Sequence, residues 1–308
     1  MAVNRPRPAR TLDPGHIPAL AEALSAHFGN VVFDLQPLKV TCSRPVFRAV
    51  ATGRDPMFVK ITSAAEAERN LHFLSGVEAC PLLPKPVLDE PFAFDGRAVV
   101  CLEWKTARRI EPEDMTDGEA DSFLEGIRTL SAALGAASDA KPASGEDMPD
   151  AQYETVVGYA RRHPLVARLI SSLTELPEAE RSYGTRSLVP IHGDMHTRNY
   201  GFEDGRMSAV FDFDAPEMGL PCEDAAYPFI ESIRQHALPE ARKRRLRQIF
   251  RRLVRNSPWS PGDWRIAVNH VRLKIAANRI RKHPDSFLTA FDIAHRDREV
   301  RPLLDELR

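Results

Sequence analysis

Strand signals crowd into the first third of this 308-residue chain, and helical periodicity takes over after residue 104. Near the start, Ile17, Leu20, Leu24 and Phe28 recur at helical intervals. PVFRAVA and PMFVKI then read as strands joined by the turn-like Thr52-Gly53-Arg54-Asp55. A helix is expected over 63–75, with Leu71 and Leu74 on one face, and RAVVCLE (97–103) reads as a buried strand. Beyond Trp104, Phe123, Ile127, Leu130 and Leu134 mark a helix over 119–135, and a soft loop follows at 136–150. Helices return at 153–173 and dominate from 223 onward, with two strand-like pieces between them, SLVPIH (187–192) and SAVFDF (208–213). The expectation is an α+β protein: a small strand-rich lobe over 1–103 and a larger, mainly helical lobe over 104–308.

Composition narrows the class. Apolar residues make up 43% and charged residues 28%, ordinary for a soluble globular protein and too apolar for global disorder. No apolar run reaches the roughly 20 residues of a membrane span, and no apolar stretch follows the basic MAVNRPRPAR, so it does not read as a signal peptide. Cys42, Cys80, Cys101 and Cys222 lack zinc-site spacing and read as reduced thiols in a cytoplasmic protein. The net charge of −1 speaks against a nucleic-acid-coating protein, and no membrane partner is expected.

The densest chemistry lies in PIHGDMHTRNYGFEDGRMSAVFDFDAP (190–216). A strand ends at His192, Gly193 permits a tight turn, Asp194 follows, and Asn199 stands five residues later. Asp212 ends a second strand, reached through the Glu203-Asp204-Gly205 turn, so Asp194, Asn199 and Asp212 are expected to converge at the ends of one hairpin-like unit. Two carboxylates and an amide oxygen are hard oxygen ligands, of the kind that bind magnesium while leaving positions for water and substrate phosphates.

H-G-D-x-H-x-x-N followed by an apolar D-F-D resembles the core of the aminoglycoside phosphotransferase and choline kinase superfamily, whose members resemble protein kinases. The resemblance implies a two-lobed, protein-kinase-like fold with a small antiparallel-sheet lobe and a larger helical lobe. It also implies ATP- (or GTP-) and Mg2+-dependent transfer of a phosphoryl group to the hydroxyl of a small molecule. By it, Asp194 orients or deprotonates the acceptor hydroxyl, and Asn199 and Asp212 hold magnesium. His192 and His196 support the loop, Asp214 assists the metal or the turn, and Asp224, in Gly219-Leu220-Pro221-Cys222-Glu223-Asp224, braces the catalytic loop.

The same resemblance assigns the nucleotide's phosphates to Lys60 in MFVKI, one of only eight lysines against 34 arginines. It pairs that lysine with a glutamate on the next helix: Glu68 is the first choice and Glu66 the competitor. Glu103 and Trp104 occupy the place of the hinge that meets the adenine edge. The expected phosphate loop, Val40 to Pro45, departs from the pattern by having no glycine, which leaves Thr41 and Ser43 hydroxyls and backbone N–H groups to contact phosphate. Two alternatives follow: a non-catalytic nucleotide-binding protein of kinase shape, and a metal-dependent hydrolase using His192, Asp194 and His196. Oligomeric state is open between monomer and homodimer.

Charge is distributed unevenly. Residues 104–239 carry 13 basic and 24 acidic side chains, whereas 240–308 carry 18 and 8. The segment ARKRRLRQIFRRLVR (241–255) keeps Leu246, Ile249, Phe250, Leu253 and Val254 at helical spacing, so its arginines read as a wet face. The basic last third is expected to disfavour a polycationic acceptor, although the acidic stretch 111–125 remains a source of carboxylates. Trp259 and Trp264 are expected to pack between helices rather than to wall a pocket.

Overall fold

The computed structural model describes residues 15–39, 44–77, 80–136, 149–163, 167–213, 217–235, 238–284 and 287–307. It divides into two compact units, Met1–Thr106 and Ala107–Arg308.

The first unit is built on a five-stranded antiparallel sheet of order β1-β2-β3-β5-β4. The strands are β1 (Asp34–Lys39), β2 (Val46–Val50), β3 (Met57–Thr62), β4 (Phe92–Phe94) and β5 (Arg97–Glu103). Alternation sorts the side chains. Phe47, Ala49, Val59, Ile61, Val99 and Cys101 form one face and pack with Leu20 and Leu24 of helix α1 (His16–His27). β3 is paired on both sides and almost wholly buried, including Lys60, which is only 5% exposed. Helix α2 (Ala64–Gly76) follows β3 directly, capped by the Ser63 hydroxyl, which accepts from Glu66 N–H. Leu71 and Leu74 are buried on it, as its periodicity predicts.

The second unit begins with a 3-10 turn at Pro112–Asp114 and helix α3 (Asp117–Ala136), which buries Phe123, Ile127, Leu130 and Leu134. Helix α4 (Pro149–Arg162) follows. After it come two small sheets: β6 (Val189–Ile191) with β9 (Glu217–Gly219), and the hairpin β7 (Tyr200–Glu203) with β8 (Arg206–Val210). Four helices complete the unit: α5 (Pro221–Gln235), α6 (Glu240–Asn256), α7 (Pro261–Lys282) and α8 (Phe287–Asp305).

This pairing corrects one sequence expectation. The strand ending before His192 is not the hairpin partner of the strand ending before Asp212. It pairs instead with β9, antiparallel, while the Asp204-Gly205 turn closes the separate β7–β8 hairpin. The turn takes positive φ at both residues (50° and 75°), which Asp-Gly tolerates. β7 was hidden because YGFE is too short to show alternation, and β9 because it has only three residues.

The arginines of α6 are not a free wet face. Leu246, Ile249, Phe250 and Leu253 are buried as expected. Around them Arg242 pairs with Glu113 (3.1 Å) and Asp114 (2.5 Å), Arg245 with Asp117 (3.0 Å), and Arg252 with Asp121 (2.5 Å) and Asp117 (3.2 Å). The acidic start of α3 and the basic helix thus neutralise each other within the unit. That internal pairing removes the inference that a basic last third disfavours a polycationic acceptor. Trp264 is fully buried, edge-on to Phe250 (5.4 Å) and Trp259 (5.8 Å), and its indole N–H donates to Ser257 Oγ (2.8 Å). It packs, as expected.

Cys80, Cys101 and Cys222 are free, buried thiols. Burial pushes Cys101 up to about 12. Cys42 lies outside the described residues. Among the described residues, no helix is long and apolar enough to cross a membrane.

Candidate active site

The site residues of the second unit are gathered by the segment from β6 to α5. β6 ends at Ile191, and the backbone then leaves the ladder: Gly193 takes φ 76°. Its freed polar groups find partners elsewhere, as buried backbone must. His192 N–H donates to Asp224 Oδ2 and Gly193 N–H to Asp224 Oδ1, both at 2.8 Å. Asp224, near the start of α5, is 3% exposed. Burial raises its carboxyl to about 6, against the pull of His192 and of these two N–H groups.

His192 braces the loop from the other side. Its Nε2 lies 2.7 Å from Phe211 O, an acceptor only, so Nε2 carries the proton. Nδ1 is then free to accept, and it does so from Asp194 N–H (3.2 Å). The ring stands edge-on to Phe213 at 4.4 Å. One imidazole therefore ties the residue before Asp212 to the backbone of Asp194. Both its nitrogens are used, which leaves none to ligate a metal and removes the basis of the hydrolase reading. The described residues contain no group of three or more His, Cys, Asp or Glu suited to a metal.

Asn199 is 4% exposed. Its side-chain amide donates to Asp194 O (2.9 Å), its N–H to His196 O (2.8 Å), and its own carbonyl accepts from Phe211 N–H (2.8 Å). The last bond sets Asp212 beside Asn199. Asp212 has φ 59°, a left-handed conformation that costs a non-glycine residue energy. The structure thus brings Asp194, Asn199 and Asp212 together, though through a different strand pairing than the sequence suggests. Asp194 itself is open: its side chain is 54% exposed, with His196 Nε2 at 3.8 Å from Oδ2. Asp214 lies outside the described residues.

Several neighbours escape the motif. Glu231 on α5 accepts from Thr197 N–H (3.2 Å); burial raises its carboxyl, partly offset by His196. Arg109 donates to Thr197 Oγ1 (2.8 Å) and pairs with Glu111. Lys274 on α7 donates to Gly193 O (2.5 Å) and to both oxygens of Glu217 (2.5 and 2.6 Å). A signal for Lys274 did exist: it is a rare lysine inside the apolar run VRLKIAA.

In the first unit, Lys60 sits in the central strand, opposite Val46 and Val100. Glu68, the first choice as its partner, is exposed on α2. Glu66, two residues earlier, is about 200° round the helix and faces the sheet side. It pairs with Arg44 and accepts from Thr62 and Ser63 hydroxyls. Burial works to raise the Glu66 carboxyl, but these hydrogen bonds and the Arg44 charge outweigh it and hold the group low. Glu103 ends β5, with its N–H donated to Lys85 O (2.8 Å) and its carboxylate 3.3 Å from Lys105. The Arg48 guanidinium lies over the Trp104 ring at 5.0 Å. Thr41 and Ser43, in the part of the glycine-free loop over 40–43, lie outside the described residues.

An antiparallel five-stranded unit followed by a helical unit carrying this loop is the fold of the kinase-like phosphotransferases. Three solved structures share it. A thermostable mutant of aminoglycoside phosphotransferase APH(4)-Ia, in ternary complex with ADP and hygromycin B, matches at TM-score 0.62 and 19% identity, over 92% of this chain and 98% of that one. Macrolide 2'-phosphotransferase MphH from Brachybacterium faecium matches at TM-score 0.62 and 14% identity, over 92% and 98%. Amicoumacin kinase hAmiN, in complex with AMP-PNP, Ca2+ and Ami, matches at TM-score 0.59 and 12% identity, over 95% and 96%. No curated protein matches in sequence. A family model, that of the phosphotransferase enzyme family, matches residues 34–260, and the chain belongs to that family.

Proposed function

We propose that this phosphotransferase moves the γ-phosphate of ATP (or GTP) to a hydroxyl of a small molecule, with magnesium. The observation that carries the reading is the convergence of Asp194, Asn199 and Asp212 on one braced loop. Asp194, exposed at the loop tip, orients the acceptor hydroxyl and takes its proton as the oxygen bonds to the γ-phosphorus. The bond from that phosphorus to the β–γ bridging oxygen breaks, and the nucleoside diphosphate leaves.

The donor set suits a hard cation. Asn199 has its NH2 turned to the Asp194 carbonyl, so its amide oxygen remains an acceptor, and Asp212 adds a carboxylate beside it. These two residues would hold magnesium, which when bound offsets phosphate charge. Lys60 would grip the phosphates, with Glu103 and Trp104 at the adenine edge. The three structural relatives, two of them bound to adenine nucleotides, support this reading by shared fold.

The test is nucleotide consumption by the full chain with Mg2+ across a panel of hydroxylated metabolites and antibiotics. Transfer of labelled γ-phosphate to one compound, abolished by Asp194→Ala while nucleotide binding persists, is the expected result. Full turnover in Asp194→Ala would remove Asp194 from its role. Nucleotide binding with no transfer across the panel would favour the non-catalytic alternative.

A further inference from the structure

We infer that Lys274 is a positioning residue for phosphoryl transfer: it clamps the carbonyl of Gly193 and so fixes the peptide that presents Asp194. The inference rests on the reading of Asp194 given above.

From His192 to Asp194 the backbone leaves the β6–β9 ladder, and its polar groups are satisfied largely by side chains. Asp224 takes the N–H of His192 and of Gly193. His192 Nδ1 takes the N–H of Asp194, and Asn199 donates to the Asp194 carbonyl, which also accepts from His196 N–H (2.8 Å). The Gly193 carbonyl remains, and the ammonium of Lys274 meets it at 2.5 Å. A charged donor to a carbonyl is stronger than a neutral one. The Gly193 residue is thus held at both ends by ionised groups of opposite sign, Asp224 on its N–H and Lys274 on its C=O. Lys274 is 81 residues away in sequence, on α7.

Two further observations tie this contact to the loop. Lys274 is only 14% exposed, so its ammonium has few water partners and depends on the groups it touches. Glu217 supplies both oxygens of its carboxylate to that ammonium and fixes its direction. Glu217 in turn lies against Gly193: a Cβ there would come within 2.7 Å of its carboxyl carbon. Glycine is therefore required at 193 twice over, for φ 76° and for the approach of Glu217. Gly193, Glu217 and Lys274 form one assembly whose product is the orientation of the Gly193–Asp194 peptide. Misplacing a reacting group by about 1 Å can cost roughly 100-fold in rate.

The experiment compares the wild-type full chain with Lys274→Met, Lys274→Arg and Glu217→Gln. Two quantities are read: amide hydrogen exchange across residues 190–196, and phosphate release from ATP with Mg2+, to water or to any acceptor the panel yields. In Lys274→Met, exchange over 190–196 should rise about tenfold relative to that of α3. Its kcat should fall about 10- to 100-fold with KM for ATP within about twofold, since the nucleotide's ground-state contacts are untouched. Lys274→Arg should recover part of both. Exchange and kcat both unchanged in Lys274→Met, or exchange raised uniformly over the unit with kcat unchanged, would overturn the inference. Should Lys274→Met fail to fold, Glu217→Gln decides: a smaller local rise in exchange supports it, and none overturns it. A wild type that releases no phosphate defeats the catalytic reading, whereas the exchange arms still decide whether Lys274 holds the loop.

Discussion

Two regions of the second unit use the same chemistry, carboxylates facing nitrogen donors, to opposite ends. At the loop after β6, one buried carboxylate, Asp224, takes two backbone N–H groups, and a single lysine closes the opposite carbonyl. Along the seam between α3 and α6, Asp114, Asp117 and Asp121 meet Arg242, Arg245 and Arg252 at the surface. The first region has few charges, each with one geometric consequence. The second has many, most of them open to water. The difference teaches that charge count is a poor guide to importance, because desolvation decides what a lost partner costs.

The comparison is sharpened first by Asp194→Ala. Loss of a general base typically costs 100- to 10,000-fold, and a loss of about 1,000-fold is expected here. Its side chain is 54% exposed, so the melting temperature should hold. A parallel fall in melting temperature would show that Asp194 belongs to the brace. Next comes Asp224→Ala, which strands two buried N–H groups. At about 1–3 kcal/mol each, a stability loss of roughly 2–6 kcal/mol in denaturant unfolding is expected, with a matching loss of turnover. Gly193→Ala should cost less stability, about 1–3 kcal/mol for strain at φ 76°, yet reduce turnover sharply because Glu217 must move.

The pH response separates brace from seam. Asp224 holds its proton to about 6 in the folded protein, above the ordinary value of 3.8. Between those values the unfolded chain has lost that proton and the folded one has kept it. This group's contribution to stability therefore falls as pH rises from about 4 to 6, and is flat above. The anion that accepts both N–H groups forms over the upper part of the same window, so turnover should rise through it. Asp224→Asn should erase both effects. Asp121 behaves oppositely: the Arg252 hydrogen bond draws it down against a smaller effect of burial, so its contribution is lost as pH falls. The smallest effect is expected for Arg252→Ala, a slight drop in melting temperature that disappears in about 1 M salt, where the screening length is roughly 3 Å. A large, salt-insensitive drop would erase the contrast between the two regions.

Much of this was legible in the chain. α2 announced itself by helical periodicity, β5 by its apolar run, and Asp194 and Asn199 by their close spacing, because neighbours within one loop must be encoded close together. Glu66 and Glu68 are close in sequence but face nearly opposite sides of α2, a difference that sequence proximity does not display. Glu231 was invisible as a site neighbour, and the rare lysine in VRLKIAA hinted at a buried role for Lys274 without naming its partner, since both reach the loop by packing, from α5 and α7. The pairing of Arg252 with Asp121 was equally hidden: composition reports the sum of charges and not which ones meet.

The sequence by itself determined the family and the order of its strand-rich and helical units, through local patterns of period and spacing. Only the tertiary structure decided that β6 joins β9 rather than β8, that an acidic helix start cancels a basic helix, and that a lysine 81 residues away closes the carbonyl beside Asp194. The physical reason is that ladder pairing, ion pairing and burial are contacts between distant segments. Their energies depend on which surfaces exclude water together, which one-dimensional spacing does not encode.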